Sequence, residues 1–272
     1  MFSRKFIIRS LAVIGLYVAA ASYIFQNEER FFFKHDKING SESYQFTVPY
    51  HELTIKINEA INLHAILYPQ ENAKAMILAF PSSDYQSLKY DIKDNLYYQL
   101  GYSVIIPEYR GSGKSTSVYH TEEDIFSDAQ QWFKMSNSLA DSLPLIVYGQ
   151  GFGCGAAACL GGAQNIDLVI LDTPFYAWNK IMLRKYFWWL PHTYLTQYKI
   201  PLWEFLRKSV NKTVLVHATN DSDIKYDNSL QLLEYLKPGD VLITLDAETE
   251  SGNRKQYKEH IERVLNKTLQ AK

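Results

Sequence analysis

The hydrophobic pattern divides the chain into three regimes. The first is an almost unbroken apolar run from Phe6 to Phe25, carrying one charge at Arg9. It is about 20 residues long, the length that spans a hydrocarbon core of about 30 Å. The second, from Gln26 to Ser43, mixes polar and aromatic residues without a period and reads as a linker. The third begins near Tyr44, where short apolar runs alternate with amphipathic stretches to the C-terminus.

In that third regime, His51–Asn58 and Asn62–Pro69 are β-rich runs separated by a polar turn. Ala75–Phe80 is continuously apolar, as a strand buried on both faces must be. Further strands are expected at Ser103–Tyr109, Leu145–Tyr148, Leu168–Leu171, Thr213–His217 and Val241–Leu245. Helices are expected at about Leu88–Leu100, ended by Gly101, and at Glu122–Met135, whose acidic first turn suits the helix dipole. Others are expected at Gly153–Leu160, Asn228–Leu236 and Arg254–Leu269. Strands alternating with helices predict a doubly wound, mostly parallel α/β sheet. The stretch 175–210 breaks the rhythm with aromatics and prolines and reads as an inserted cap. The expected organisation is therefore a membrane anchor over 1–26, a linker over 27–43 and one α/β domain over 44–272.

Composition narrows the function. The 272 residues are 47% hydrophobic and 21% charged, enough to bury one sizeable core. The net charge of −1, with no long basic run, argues against a nucleic-acid partner. Cys154 and Cys159 are five apart in one expected helix and point in different directions, so they read as small core residues. No cysteine–histidine cluster has metal-ligand spacing, and no cofactor is implied. Arg4, Lys5 and Arg9 precede the apolar run while Glu28 and Glu29 follow it. This asymmetry predicts a single-pass protein with a cytoplasmic N-terminus and an extracytoplasmic domain. A rival reading is a cleaved signal at Ala19-Ala20-Ala21, leaving a secreted or periplasmic domain.

Four segments in order resemble the α/β-hydrolase superfamily, in particular its small membrane-anchored branch related to the mammalian abhydrolase-domain proteins. Tyr109-Arg110-Gly111-Ser112-Gly113-Lys114-Ser115 is similar to that branch's "DYRGxGxS" element. Gly149-Gln150-Gly151-Phe152-Gly153 looks like its nucleophile elbow, Asp172-Thr173-Pro174-Phe175 like the opening of its cap, and His217-Ala218-Thr219-Asn220-Asp221 like the "HGxxD" strand end carrying the triad acid. The resemblance implies an α/β-hydrolase fold with a short aromatic-rich cap.

It also implies a damaged triad. The elbow G-x-S-x-G displays its serine at the centre, and here the centre is Gly151. The base histidine is expected after the last strand, but 246–254 contains none, and Glu250 stands near its position. His260 falls too late. The matching acid is Asp221, more simply read as a turn or cap residue. The oxyanion positions are Pro81, Ser82, Ser83 and Phe152, and proline has no N–H to donate. Trp178, Phe187, Trp188 and Trp189 would line a cap-side cavity. These readings favour an inactive, membrane-tethered hydrolase-like protein that binds a small apolar ligand or an envelope protein. The alternative is an esterase, thioesterase or peptidase with a non-standard nucleophile, Cys154 and the Ser82–Asp84 group being the candidates. The segment Gly111–Thr116 also invites a phosphate-loop reading, but Glu108 occupies that motif's first glycine position.

Overall fold

The computed structural model describes residues 3–31, 33, 37–38, 42–85, 92, 95–185, 196–245 and 250–269; for 182–185, 250–256 and 269 it describes backbone alone. Among these residues eight strands form one sheet: β1 (His51–Lys56), β2 (Asn62–Tyr68), β3 (Met76–Phe80), β4 (Ser103–Glu108), β5 (Leu145–Gln150), β6 (Leu168–Asp172), β7 (Thr213–Ala218) and β8 (Val241–Leu245). The order is β1-β2-β4-β3-β5-β6-β7-β8. β2 pairs antiparallel with β1 and β4, and every other pairing is parallel.

Alternation along each strand splits the core into two layers. Met76, Leu78 and Phe80 of β3 and Leu145 and Val147 of β5 face one layer, with Ile125, Ala129 and Trp132 of α3 (Glu122–Ala140). The same layer holds Ala156 and Leu160 of α4 (Cys154–Ala163) and Leu202 and Leu206 of α6 (Leu202–Lys208). Ile77, Ala79, Ile146 and Tyr148 face the other, with Tyr97 of α2 (Leu96–Gln99) and Ile261 and Leu265 of α8 (Glu250–Leu269). Helices on both faces of a mainly parallel sheet make the doubly wound α/β-hydrolase architecture. The cap contributes α5 (Trp178–Lys185), and α7 (Asp227–Leu232) follows β7. Of the stretch expected to be helical before Gly101, residues 88–91 and 93–94 fall outside the described residues, and the regular helix in the described part is α2.

The apolar N-terminal run is α1 (Arg4–Gln26), one helix of 23 residues with no buried residue. At 1.5 Å per residue it is about 35 Å long, enough to cross a bilayer. Its foot is fixed to the domain. Ala21 and Ile24 rest on the core, and Gln197 Nε2 donates to the Phe25 carbonyl at 3.2 Å. The buried Glu28 carboxylate accepts hydrogen bonds from the Thr196 hydroxyl and the Gln197 N–H. Phe33 and Ile38 are buried as well, so these two residues of the linker stretch are packed onto the domain.

Candidate active site

Parallel pairing sets the site. β3 and β5 align Phe80 with Gly149, and β5 and β6 align Gln150 with Asp172. The segment Pro81–Ser83, the Gln150–Gly151 turn and Asp172 therefore meet at the carboxyl edge of the sheet. There β5 runs directly into a 3-10 turn, Gly151–Gly153, and then into α4.

That junction is an elbow because of its glycines. A β-carbon on Gly149 would lie 2.5 Å from the Gly153 carbonyl oxygen and 2.7 Å from Cys154 Cα, and one on Gly153 would strike the Phe80 carbonyl. Gly151 differs. Its φ is +51°, but a β-carbon there would meet ordinary van der Waals neighbours, Ser82 Oγ at 3.5 Å and Ile224 Cδ1 at 4.0 Å. The flanking glycines are dictated by close approach, whereas the centre has room for a side chain and lacks one.

The surrounding groups are engaged elsewhere. Asp221 Oδ1 accepts the backbone N–H groups of Asp223 and Ile224, each at 2.9 Å, which makes it the cap of its own turn. His217 is buried, with Nε2 2.7 Å from the Ile224 carbonyl and Nδ1 2.7 Å from Ser229 Oγ. A carbonyl can only accept, so Nε2 carries the proton and Nδ1 accepts from the serine. Burial lowers the His217 pKa and keeps the ring neutral. The Cys154 thiol donates to the carbonyls of Gly149 and Asp172, each at 3.2 Å, and burial pushes its pKa far up, the opposite of an activated thiol. Cys159 is pushed up to about 11, again chiefly by burial. The Pro81 carbonyl accepts from the Tyr109 hydroxyl at 2.6 Å.

Residue 250 opens α8, so the connection after β8 is shorter than the 246–254 loop expected from sequence, and the Glu250 backbone lies in a helical turn. Its side chain, and residues 246–249, lie outside the described residues. His260 sits well inside the same helix.

The two sides of the elbow differ sharply. On the cap side Phe152 is buried among rings. Its centroid lies 5.0 Å from Phe33, 4.9 Å from Trp178 and 5.8 Å from Tyr109, all edge-to-face. Trp178 in turn meets Phe175 edge-to-face at 5.0 Å. The void beneath, between Tyr109, Trp132 and Ala156, is about 10 Å³, at the lower limit for one water. Trp178 is thus a packing residue rather than a cavity wall, and Phe187, Trp188 and Trp189 lie outside the described residues.

On the opposite side is a cavity of about 550 Å³ lined by Pro81, Tyr97, Tyr148, Gln150, Asp172 and Tyr257, among others. Asp172 Oδ2 accepts from the Tyr148 hydroxyl at 2.8 Å, Tyr257 also bonds the carboxylate, and the hydroxyls of Tyr97 and Tyr257 are 2.7 Å apart. Burial raises the Asp172 pKa against these hydrogen bonds, and the charge of Asp221 adds to the rise. Sequence reading passed over this cluster. The one available signal was an acidic residue ending an apolar strand two positions before a proline, since the tyrosines come from three separate elements.

The glycine-rich loop at 111–115 is also explained. It closes around the buried Glu108 carboxylate, which accepts from the Lys114 N–H at 2.8 Å and the Tyr44 hydroxyl at 2.7 Å. A β-carbon on Gly113 would collide with that carboxylate. The loop's anion is internal, with no room left for a phosphate. Among the described residues no group of histidine, cysteine and acidic side chains is arranged to hold a metal.

A model of the prolyl oligopeptidase family matches residues 89–270. No curated protein matches the sequence. Among solved structures, the chain is similar to the Pyrococcus furiosus esterase Pf2001, with a TM-score of 0.68, 16% identity and coverage of 87% of this chain and 98% of the esterase. A soluble variant of Saccharomyces cerevisiae monoglyceride lipase, in complex with a substrate analog, gives 0.62 and 15%, covering 85% and 99%. The α/β hydrolase GrgF from Penicillium gives 0.61 and 11%, covering 82% and 99%. At these identities the likeness is one of fold.

Proposed function

The chain belongs to the prolyl oligopeptidase family, and from that premise we propose that it is a membrane-tethered member that binds a ligand or protein partner without hydrolysing it. One observation carries the reading: the elbow is built, with both close-packed flanking glycines, around a centre, Gly151, that has no side chain. Removing the nucleophilic serine of subtilisin alone costs roughly 10⁶ in kcat. The neighbouring groups supply no substitute. Asp221 caps its own turn, His217 is locked neutral, and the Cys154 thiol is buried. Phe33, Phe152 and Trp178 fill the cap side, where an acyl chain would otherwise lie.

Tethering through α1 is part of the proposal. Arg4, Lys5 and Arg9 hold its start in the cytoplasm, which sends the domain across the membrane. The packing of Ala21 and Ile24 on the domain favours an uncleaved anchor. The protein is expected to sediment with membranes and resist high-salt extraction, and protease added on the extracytoplasmic side should digest the domain. A soluble protein beginning near Ser22 would refute the anchor.

A second reading retains hydrolysis of an ester, thioester or amide with a non-standard nucleophile. The observation favouring it is Ser82, whose Oγ lies beside the position a serine at 151 would fill. A fluorophosphonate probe separates the two readings. The first expects no labelling and no turnover of p-nitrophenyl esters. Turnover abolished by Ser82→Ala, Ser83→Ala or Cys154→Ala would establish the second and name its nucleophile.

A further inference from the structure

We propose that the cavity beside Gln150 binds an organic ammonium ion, with the Asp172 carboxylate as its counter-ion and the rings of Tyr97, Tyr148 and Tyr257 as its walls. The inference goes beyond the loss of hydrolysis and does not depend on it.

The cavity lining carries one acidic and one basic side chain, Asp172 and Lys258, and they make no ion pair with each other. Asp172 makes no ion pair among the described residues, and Asn95, Gln99 and Gln150 of the wall are neutral. The cationic lining residue is Lys258, on the exposed side of α8. Burial and the nearby charge of Asp221 disfavour the ionised carboxylate, a cost that an entering ammonium offsets directly.

The hydrogen-bond inventory points the same way. Tyr148 and Tyr257 direct their hydroxyl protons at Asp172. Burial pushes the pKa of both phenols well above the ordinary value, so they stay neutral. A phenol that has given its proton to the carboxylate presents only lone pairs to a ligand. The inner end of the cavity therefore offers acceptors, which suit an ammonium and repel a carboxylate or phosphate.

The rings add a third selection. Tyr97 and Tyr148 meet edge-to-face with centroids 5.1 Å apart, and Tyr97 and Tyr257 join through their hydroxyls. Aromatic faces attract cations, and the more strongly the better the site is desolvated. Ala79, Leu96 and Ile106 supply apolar wall for the carbon skeleton. A volume of about 550 Å³ lies within the range of small-molecule sites and exceeds what an inorganic cation needs.

The test uses the full chain in detergent and compares three ligands of one shape: phenethylamine, 2-phenylethanol and 3-phenylpropionate. Ligand-observed NMR and thermal shift are expected to detect the amine, bound at least tenfold more tightly than the alcohol, with no binding of the acid. Asp172→Asn should weaken the amine at least tenfold and leave the alcohol unchanged. Binding of the alcohol or acid as tightly as the amine, an unaltered amine affinity in Asp172→Asn, or no amine binding at about 10 mM would each overturn the proposal. Should Asp172→Asn not fold, the three-ligand comparison on the unaltered chain decides. Ester turnover would refute the inactive-elbow reading without touching this one.

Discussion

Phe33, from the segment that follows the N-terminal helix α1, stands edge-on to Phe152, the residue after the empty elbow centre, with ring centroids 5.0 Å apart and planes at 84°. The same Phe33 ring lies 5.2 Å from Tyr109 and 5.3 Å from Tyr119. A piece of chain outside the sheet is thus the outer wall of the elbow's cap side. Together with Glu28 on Thr196 and Gln197, it joins the apolar helix α1 to the fold.

Phe33 should accordingly behave as a core residue. It is buried against the rings of Tyr109, Tyr119 and Phe152, and truncation of such a phenylalanine costs about 3–5 kcal/mol. Phe33→Ala should lower the unfolding free energy measured in urea by that amount, while Phe31→Ala, at an exposed ring, should stay within about 0.5 kcal/mol. Equal effects of the two substitutions would mean that Phe33 is not seated as described.

Gly151→Ser supplies an oxygen where space exists, since the β-carbon meets nothing closer than 3.5 Å. The variant should fold, losing about 1–3 kcal/mol because φ stays positive. It should still show no p-nitrophenyl ester turnover above background. His217 is committed to Ser229 and Ile224, and 246–254 contains no histidine. Activity gained by this single change would show that a base survives near the elbow.

The sheet was legible because alternation and continuous apolar runs are local, and the elbow because its glycines sit at fixed spacing. Element ends were less so. Ser136 and the residues after it read as the end of a helix, yet Ser136 is fully buried and α3 continues to Ala140. The helix expected over Gly153–Leu160 likewise runs further, with Gly161 and Gly162 both inside α4. A β-carbon on Gly162 would come within 3.1 Å of the Phe205 carbonyl, so the glycine lets α6 approach. Of the Asp172 cluster only the aspartate itself was legible, at the end of its strand. Tyr97 and Tyr257 are 160 positions apart and meet only because α2 and α8 cover the same face. Phe33 was missed because its segment has no hydrophobic period.

Arg110 illustrates a motif residue whose work is structural. It makes a two-pronged ion pair with Asp128, Nε to Oδ2 at 2.8 Å and Nη2 to Oδ1 at 2.7 Å, and both residues are buried. Asp128→Ala leaves a buried guanidinium with only the Asp124 carboxylate, 3.3 Å away. The expected loss is about 3–5 kcal/mol in chemical denaturation. A loss below about 1 kcal/mol, the scale of an exposed pair, would refute the buried geometry.

Asp172 makes the last prediction, one of pH. Its folded-state pKa lies above the unfolded value, which is near 3.9 for an ordinary aspartate. As pH rises, the unfolded chain releases this proton first, so ionisation destabilises the fold progressively until the raised folded value has been passed. Below the unfolded value both states are protonated and the cost disappears. Asp172→Asn carries no charge at any pH, and its amide oxygen still accepts from Tyr148. Without added amine, its melting temperature should exceed that of the unaltered chain at neutral pH. The gap should narrow as pH falls, closing near about pH 4. Circular dichroism melts across that range measure it directly. A gap independent of pH would mean that Asp172 is not desolvated, and a negative gap at neutral pH would mean that its charge is already matched. An amine that binds the carboxylate should act on the same balance, raising the melting temperature of the unaltered chain and leaving that of Asp172→Asn where it was.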